Sequence, residues 1–262
     1  MEDSLESKKL KFKKQYEFIC SNLKISGEIC DPLLKSPLDF QYHYTAFIFS
    51  SLYFKDDRWK KVLQYFKDIP QKEKKVSIEF NNFFLLFGKI LSNNSEFDKC
   101  LPEFKQRSNI EFGSINNNFK ALNLLNKVLI NKINNIDNTN GLEYFNNLQF
   151  DDGVFPDTNY NYTQKKNLGI PHLVYHSKIL MCLGFICLYK KDQELIKTFN
   201  KGLKALNSLN TEKEDSFYGR SNNSLFGKSC LYAVYSIDYL LSNNSDSKSK
   251  SIKIFNQIFE YQ

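Results

Sequence analysis

Leu173–Tyr189 reads LVYHSKILMCLGFICLY, and Gln193–Leu209, just beyond it, reads QELIKTFNKGLKALNSL. The first stretch is apolar around most of the circumference of a helix. In the second, Leu195, Phe199, Leu203, Leu206 and Leu209 recur every three or four residues, the spacing of a single helical face. A helix apolar on all sides belongs inside a fold, and one with a single apolar stripe lies against it from outside. The pair therefore reads as a helical hairpin, inner helix first.

The same contrast recurs along the chain. Phe40–Tyr53, Ser77–Leu91, Ile115–Ile130 and Ser224–Leu241 share the dense aromatic and aliphatic character of the first stretch. Arg58–Lys67 and Glu96–Lys105 resemble the second. The repeat is irregular, about 40–55 residues long, within or just above the range of helical repeats. Loop signals divide the pairs at Asp68-Ile69-Pro70, Ser92–Ser95, Asn134–Gly141 and Ser242–Ser247. The chain has only 10 Gly and 6 Pro, which disfavours a β-rich fold with many tight turns. The expectation is an all-α fold, an (α/α) toroid or incomplete barrel of repeated helical hairpins. Residues 1–262 are expected to form one domain, with 1–15 frayed or forming an extra helix.

Composition narrows the function less. The formal net charge is +7, with Lys8, Lys9, Lys11, Lys13 and Lys14 crowded near the start. A mildly basic surface favours anionic partners. The lysines are otherwise dispersed, so no nucleic-acid face is expected. The Asn116–Asn118 run reads as compositional bias toward Asn. None of the six cysteines forms a C-x-x-C pair, and reduced, mostly buried thiols are expected. Met1–Lys9 has no apolar core of a signal peptide, so a cytoplasmic location is expected. His176 and Lys178 interrupt the longest apolar run, which argues against stable membrane insertion. The oligomeric state is not legible.

Three constellations could carry chemistry. Asp151-Asp152-Gly153-Val154-Phe155-Pro156-Asp157 opens a long connection and offers carboxylates for sugar hydroxyls or acid–base work. Its ordinary explanation is a turn with Asx hydrogen bonds around Gly153. Tyr175-His176-Ser177 begins the fourth inner helix, where an imidazole could move protons or simply pack. His172 and His176 lack an evident third ligand, so no metal and no cofactor is expected. Phe217-Tyr218-Gly219-Arg220-Ser221-Asn222-Asn223-Ser224-Leu225-Phe226-Gly227 leads into the fifth inner helix; Arg220 could clamp a carboxylate, or Asn223 or Ser224 could cap the helix with Arg220 in a structural ion pair. A weaker group comprises His43 and Tyr44, with Glu79, Asn81 and Asn82, again at inner-helix starts. In a toroid the corresponding helix ends gather around one mouth, which would unite these distant segments.

The order DDGVFPD, YHS, YGRSNNSLFG, with EFNNF at Glu79–Phe83, resembles (α/α)-toroid proteins related to heparinase II/III-like and alginate-lyase-like polysaccharide lyases. The resemblance implies β-elimination on a uronate-containing saccharide. It casts Asn82 and Arg220 as neutralisers of the uronate carboxylate, His176 as base, and Tyr175 or Tyr218 as its acid or base partner. Asp152, Asp157, Glu79, Asn222, Asn223, His43 and Tyr44 would line the saccharide. A hydrolase would instead draw its acid pair from Asp152, Asp157 and Glu79. Two further readings stay open: a non-catalytic or biosynthetic accessory toroid binding a glycan or lipid-linked sugar, and a helical-repeat interaction module.

Overall fold

The computed structural model describes residues 5–38, 41–68, 78–92, 95, 116–157, 173–209 and 225–260. Every regular element among them is a helix: α1 (Leu5–Ser21), α2 (Gln41–Tyr53), α3 (Trp59–Asp68), α4 (Ile78–Ser92), α5 (Asn117–Ile133), α6 (Glu143–Leu148), α7 (Leu173–Lys190), α8 (Gln193–Leu209), α9 (Leu225–Ser242) and α10 (Ser245–Glu260). The five inner segments match α2, α4, α5, α7 and α9 to within three residues at each end. Arg58–Lys67 and Gln193–Leu209 match α3 and α8. The first residues form a helix from Leu5 onward. The sequence reading did not identify α6 or α10. Glu96–Lys105 falls outside the described residues.

The chain groups into two compact units. One comprises Met1–Glu111 with Leu129–Ile136, and the other Phe112–Val128 with Asp137–Gln262. In the first, α2 packs on α1, α3 and α4. Tyr16 ties α1 to α2 by donating its hydroxyl to Ser51 at 3.0 Å. In the second, α7 packs on α8 and α9, α9 packs on α10, and α6 packs on α8.

The α7–α8 hairpin shows why the two kinds of helix alternate. No described side chain between 174 and 190 is exposed. Along α8 the buried positions are Leu195, Thr198, Phe199, Gly202, Leu203, Ala205 and Leu206, a single stripe. Gly184 of α7 lets its neighbours approach: a Cβ there would lie 2.8 Å from the Phe199 ring of α8 and 2.9 Å from Ile237 of α9.

The hairpins share a connector. Lys55, Lys191 and Asn243 each adopt positive φ, of 57°, 52° and 57°, within two residues of the end of an inner helix. Such a residue turns the chain and ends the helix. The Lys191 N–H still reaches the Cys187 carbonyl at 2.9 Å, and that of Asn243 reaches Tyr239 at 2.9 Å. An Asp or Asn follows each time and accepts backbone N–H groups at the start of the next helix. Asp56 takes Arg58 at 2.9 Å, Asp192 takes Glu194 and Leu195 at 2.9 and 3.1 Å, and Asn244 takes Asp246 at 3.0 Å.

Packing of α8 is thus the test of the hairpin. Replacing the fully buried Phe199 with Ala should cost about 3–5 kcal/mol in urea denaturation. Asn200→Ala, on the exposed side of the same turn, should leave the midpoint unchanged. Equal effects of the two substitutions would show that α8 does not bury that face.

Candidate functional site

The loop that follows α6 is built by short-range bonds and then locked to α7 and α8. Phe150 and Val154 close a turn, the Phe150 N–H meeting the Val154 carbonyl at 3.0 Å. Within it, Asp152 accepts the Val154 N–H at 2.9 Å, the Asx bond expected from the sequence. Gly153 has φ +92°, and a Cβ there would lie 2.5 Å from the Lys201 carbonyl oxygen, so only glycine fits. Gln149 donates its amide to the carbonyls of Gly153 at 3.0 Å and Thr198 at 2.9 Å.

His176 completes the lock. It is fully buried, and its ring stacks on Phe155 with centroids 5.7 Å apart. Nδ1 accepts the Phe155 N–H at 3.0 Å. The backbone donor leaves Nδ1 without a proton, so the proton sits on Nε2 and is donated to the Gly202 carbonyl at 3.1 Å. Burial lowers the imidazole pKa to about 4, partly opposed by the Gly202 carbonyl and the charge of Asp152. The structure therefore gives His176 a bracing role: both nitrogens are engaged and the ring is closed to solvent.

Downstream of the brace, the loop meets the start of α5. The Asn117 N–H donates to the Asp157 carbonyl at 2.7 Å, and its amide donates to the Pro156 carbonyl at 2.9 Å. Tyr144 donates its hydroxyl to Asn117 Oδ1 at 2.7 Å. Burial, and then the charge of Asp157, push the Tyr144 phenol well above its ordinary range, so it stays a neutral donor. Asn118 donates its amide to the Asp157 carboxylate and accepts the Lys178 ammonium at 2.7 Å. Lysine only donates and a carboxylate only accepts, so these two partners fix which way the Asn118 amide faces. Lys178 is 2% exposed and lies 4.2 Å from the centre of the Phe119 ring, a favourable seat for a buried cation. The result is a continuous polar chain, Asp157 to Asn118 to Lys178, beside the Asn117–Tyr144 pair. Asp157 is half-buried at its outer end.

A cleft of about 410 Å³ adjoins this chain, lined by Lys120, Asn123, Leu124, Gly141, Glu143, Tyr144 and Asn147. Tyr144 belongs to both.

The expected site residues fall in several places. Asp152 sits exposed in its turn, Asp157 joins the polar chain, and Tyr175 is half-buried on α7. In the first unit, Tyr44 is wholly buried with its ring 5.4 Å from that of Tyr65, which makes it a core residue. His43 is edge-on to Tyr42 at 4.6 Å. Glu79 is 8% and Asn82 2% exposed, and Asn82 Oδ1 has no hydrogen-bond partner among the described residues. Tyr218, Arg220, Asn222 and Asn223 lie outside the described residues. Reasoning from sequence missed Asn117, Asn118, Tyr144 and Lys178. Their signals were present: an Asn run at the start of an apolar helix, and a lysine inside the most apolar segment.

Among the described residues there is no group of three or more His, Cys, Asp or Glu able to hold a metal ion, and no helix is long and apolar enough to cross a membrane. No family model matches the chain, and no curated protein matches it. Among solved structures, it is similar to a GH76 α-mannanase of Bacteroides thetaiotaomicron, a selenomethionine derivative, at 12% identity and a TM-score of 0.65. The match covers 94% of this chain and 82% of that one. That neighbour is an (α/α)6 toroid, and the likeness places this chain in the toroid class of repeated helical hairpins. It does not bear out a relationship to heparinase-like or alginate-lyase-like enzymes in particular.

The brace has a pH signature. An unfolded imidazole binds its proton near 6.5 and the enclosed one only near 4. Between those values the unfolded chain holds the extra proton, so the stability that His176 contributes is complete above the window and is lost as pH falls through it. The stability advantage of wild type over His176→Gln should shrink by about 3 kcal/mol from about pH 7 to about pH 4, measured by urea denaturation. A constant difference would mean that the ring titrates as freely folded as unfolded.

Proposed function

We propose that the chain is a glycan-active protein of glycoside-hydrolase type that holds its saccharide against Asp157. The observation that carries this reading is the Asp157–Asn118–Lys178 chain. It presents one carboxylate, held by a buried amide that a buried cation orients in turn, on the loop after α6 of a toroid-class fold. Sugar hydroxyls are bound by such oriented carboxylates and amides. A glycosidic bond is cleaved by a carboxyl that protonates the leaving oxygen and a second that acts as base or nucleophile. Asp157 and Asp152 lie five positions apart on one loop in different settings, half-buried and exposed. The likeness to an α-mannanase favours the same general chemistry.

Elimination on a uronate is less well supported. It calls for a base that reaches the sugar, and His176, the residue cast for that role, has both nitrogens bonded to backbone. The +7 charge would nonetheless draw an acidic chain. Ultraviolet absorbance separates the two chemistries, since only elimination leaves an unsaturated product.

Release of reducing ends from α-mannan and from acidic polysaccharides is the direct assay. Asp157→Asn should lower turnover about 100-fold or more, the usual contribution of an acid–base group. Asn118→Ala, which leaves Asp157 in place but unaimed, should lower it about tenfold. A wild-type chain that neither binds nor cleaves any member of the panel would overturn the reading.

A further inference from the structure

Two neighbouring asparagines at the start of α5 grip Asp157 in different ways. Asn118 takes the carboxylate, and the Asn117 N–H takes the backbone carbonyl. The second grip depends on a third residue. The Pro156 carbonyl only accepts, so the Asn117 amide nitrogen must face it, at 2.9 Å, and Oδ1 points the other way. Asn117 is 1% exposed, which leaves Oδ1 little access to water. Among the described residues the donor to Oδ1 is the Tyr144 hydroxyl, at 2.7 Å. Tyr144 itself stands on a fixed base. Phe145, the next residue of α6, is fully buried and meets the Phe155 ring edge-on, with centroids 6.5 Å apart. Burial, and then the charge of Asp157, oppose ionisation of the phenol, so it keeps the proton that it donates.

We infer that Tyr144 is a positioning residue for Asp157, holding through Asn117 the backbone that carries the carboxylate. Without the phenol, Oδ1 becomes a buried acceptor with no donor, and the amide is no longer kept turned toward Pro156. The 156–157 segment then loses one of its two side-chain holds. A displacement of about 1 Å at a reacting group can cost about 100-fold in rate. The inference rests on the reading of Asp157 as an acid–base carboxyl and deepens it: Asn118 holds the carboxylate, and Tyr144 holds the backbone behind it.

The experiment compares Tyr144→Phe with Tyr235→Phe, which deletes the same kind of bond, phenol to Asn207 at 2.9 Å, between α9 and α8. Reducing ends released from α-mannan and from acidic polysaccharides are measured, together with hydrogen exchange at the Asn117 N–H. Tyr144→Phe should lower kcat about tenfold, leave KM within about twofold of wild type, and speed that exchange about tenfold. Tyr235→Phe should alter none of the three. Added to Asn117→Ala or to Asp157→Asn, Tyr144→Phe should lower turnover no further, because residues that act as one unit are not additive. Equal losses of kcat in Tyr144→Phe and Tyr235→Phe would make the phenol ordinary structural support. Unchanged exchange at Asn117, or a further loss in the Asp157→Asn background, would show that it does not act through this backbone. Each of these overturns the inference while Asp157→Asn alone still upholds the acid–base reading. A wild type that cleaves none of the polysaccharides overturns that reading and the inference together.

Discussion

Two hydrogen bonds on one imidazole hold the loop after α6 in place: the Phe155 N–H into His176 Nδ1, and Nε2–H into the Gly202 carbonyl. Without them, the turn at Phe150–Val154 would hang from α6 by its own short-range bonds and the Gln149 clamp. With them, Phe155 is buried against the ring and the chain leaves the turn in one direction, toward the start of α5. There the Asn117 N–H and amide take the carbonyls of Asp157 and Pro156, and Asn118 takes the carboxylate. The brace works only with a neutral ring, because Nδ1 must keep its lone pair for the backbone donor. Burial secures that state.

The fold was legible because its signal is local and repeated. The all-apolar Leu173–Tyr189 and the striped Gln193–Leu209 differ in composition as inner and outer helices must. The α10 helix was missed because Ser245–Lys250 is polar and its apolar positions begin only at Ile252. The six-residue α6 spans too few turns to show a period.

The site was only half legible. Asp157 was found because a carboxylate on a long loop is conspicuous. Its partners were not, because what makes Asn117, Asn118 and Lys178 unusual is their burial, and burial of a polar residue is a tertiary fact. Asn is common enough in this chain that a run of three carries little weight. His176 illustrates the reverse error. A histidine at a helix start beside a tyrosine suggests proton transfer, yet each ring nitrogen meets a backbone group 21 or 26 residues away in sequence, contacts that no local pattern reveals.

The state of the imidazole is open to direct observation. Nitrogen-15 spectra of the labelled ring, followed from about pH 8 to about pH 4.5, report tautomer and protonation together. The account predicts an Nε2–H tautomer, with the Nδ1 resonance at a bare, hydrogen-bonded position that barely moves down to about pH 5.5 and shifts only as the pH approaches about 4. An Nδ1–H tautomer, or a ring that protonates near pH 6.5, would contradict it and free the loop that carries Asp157.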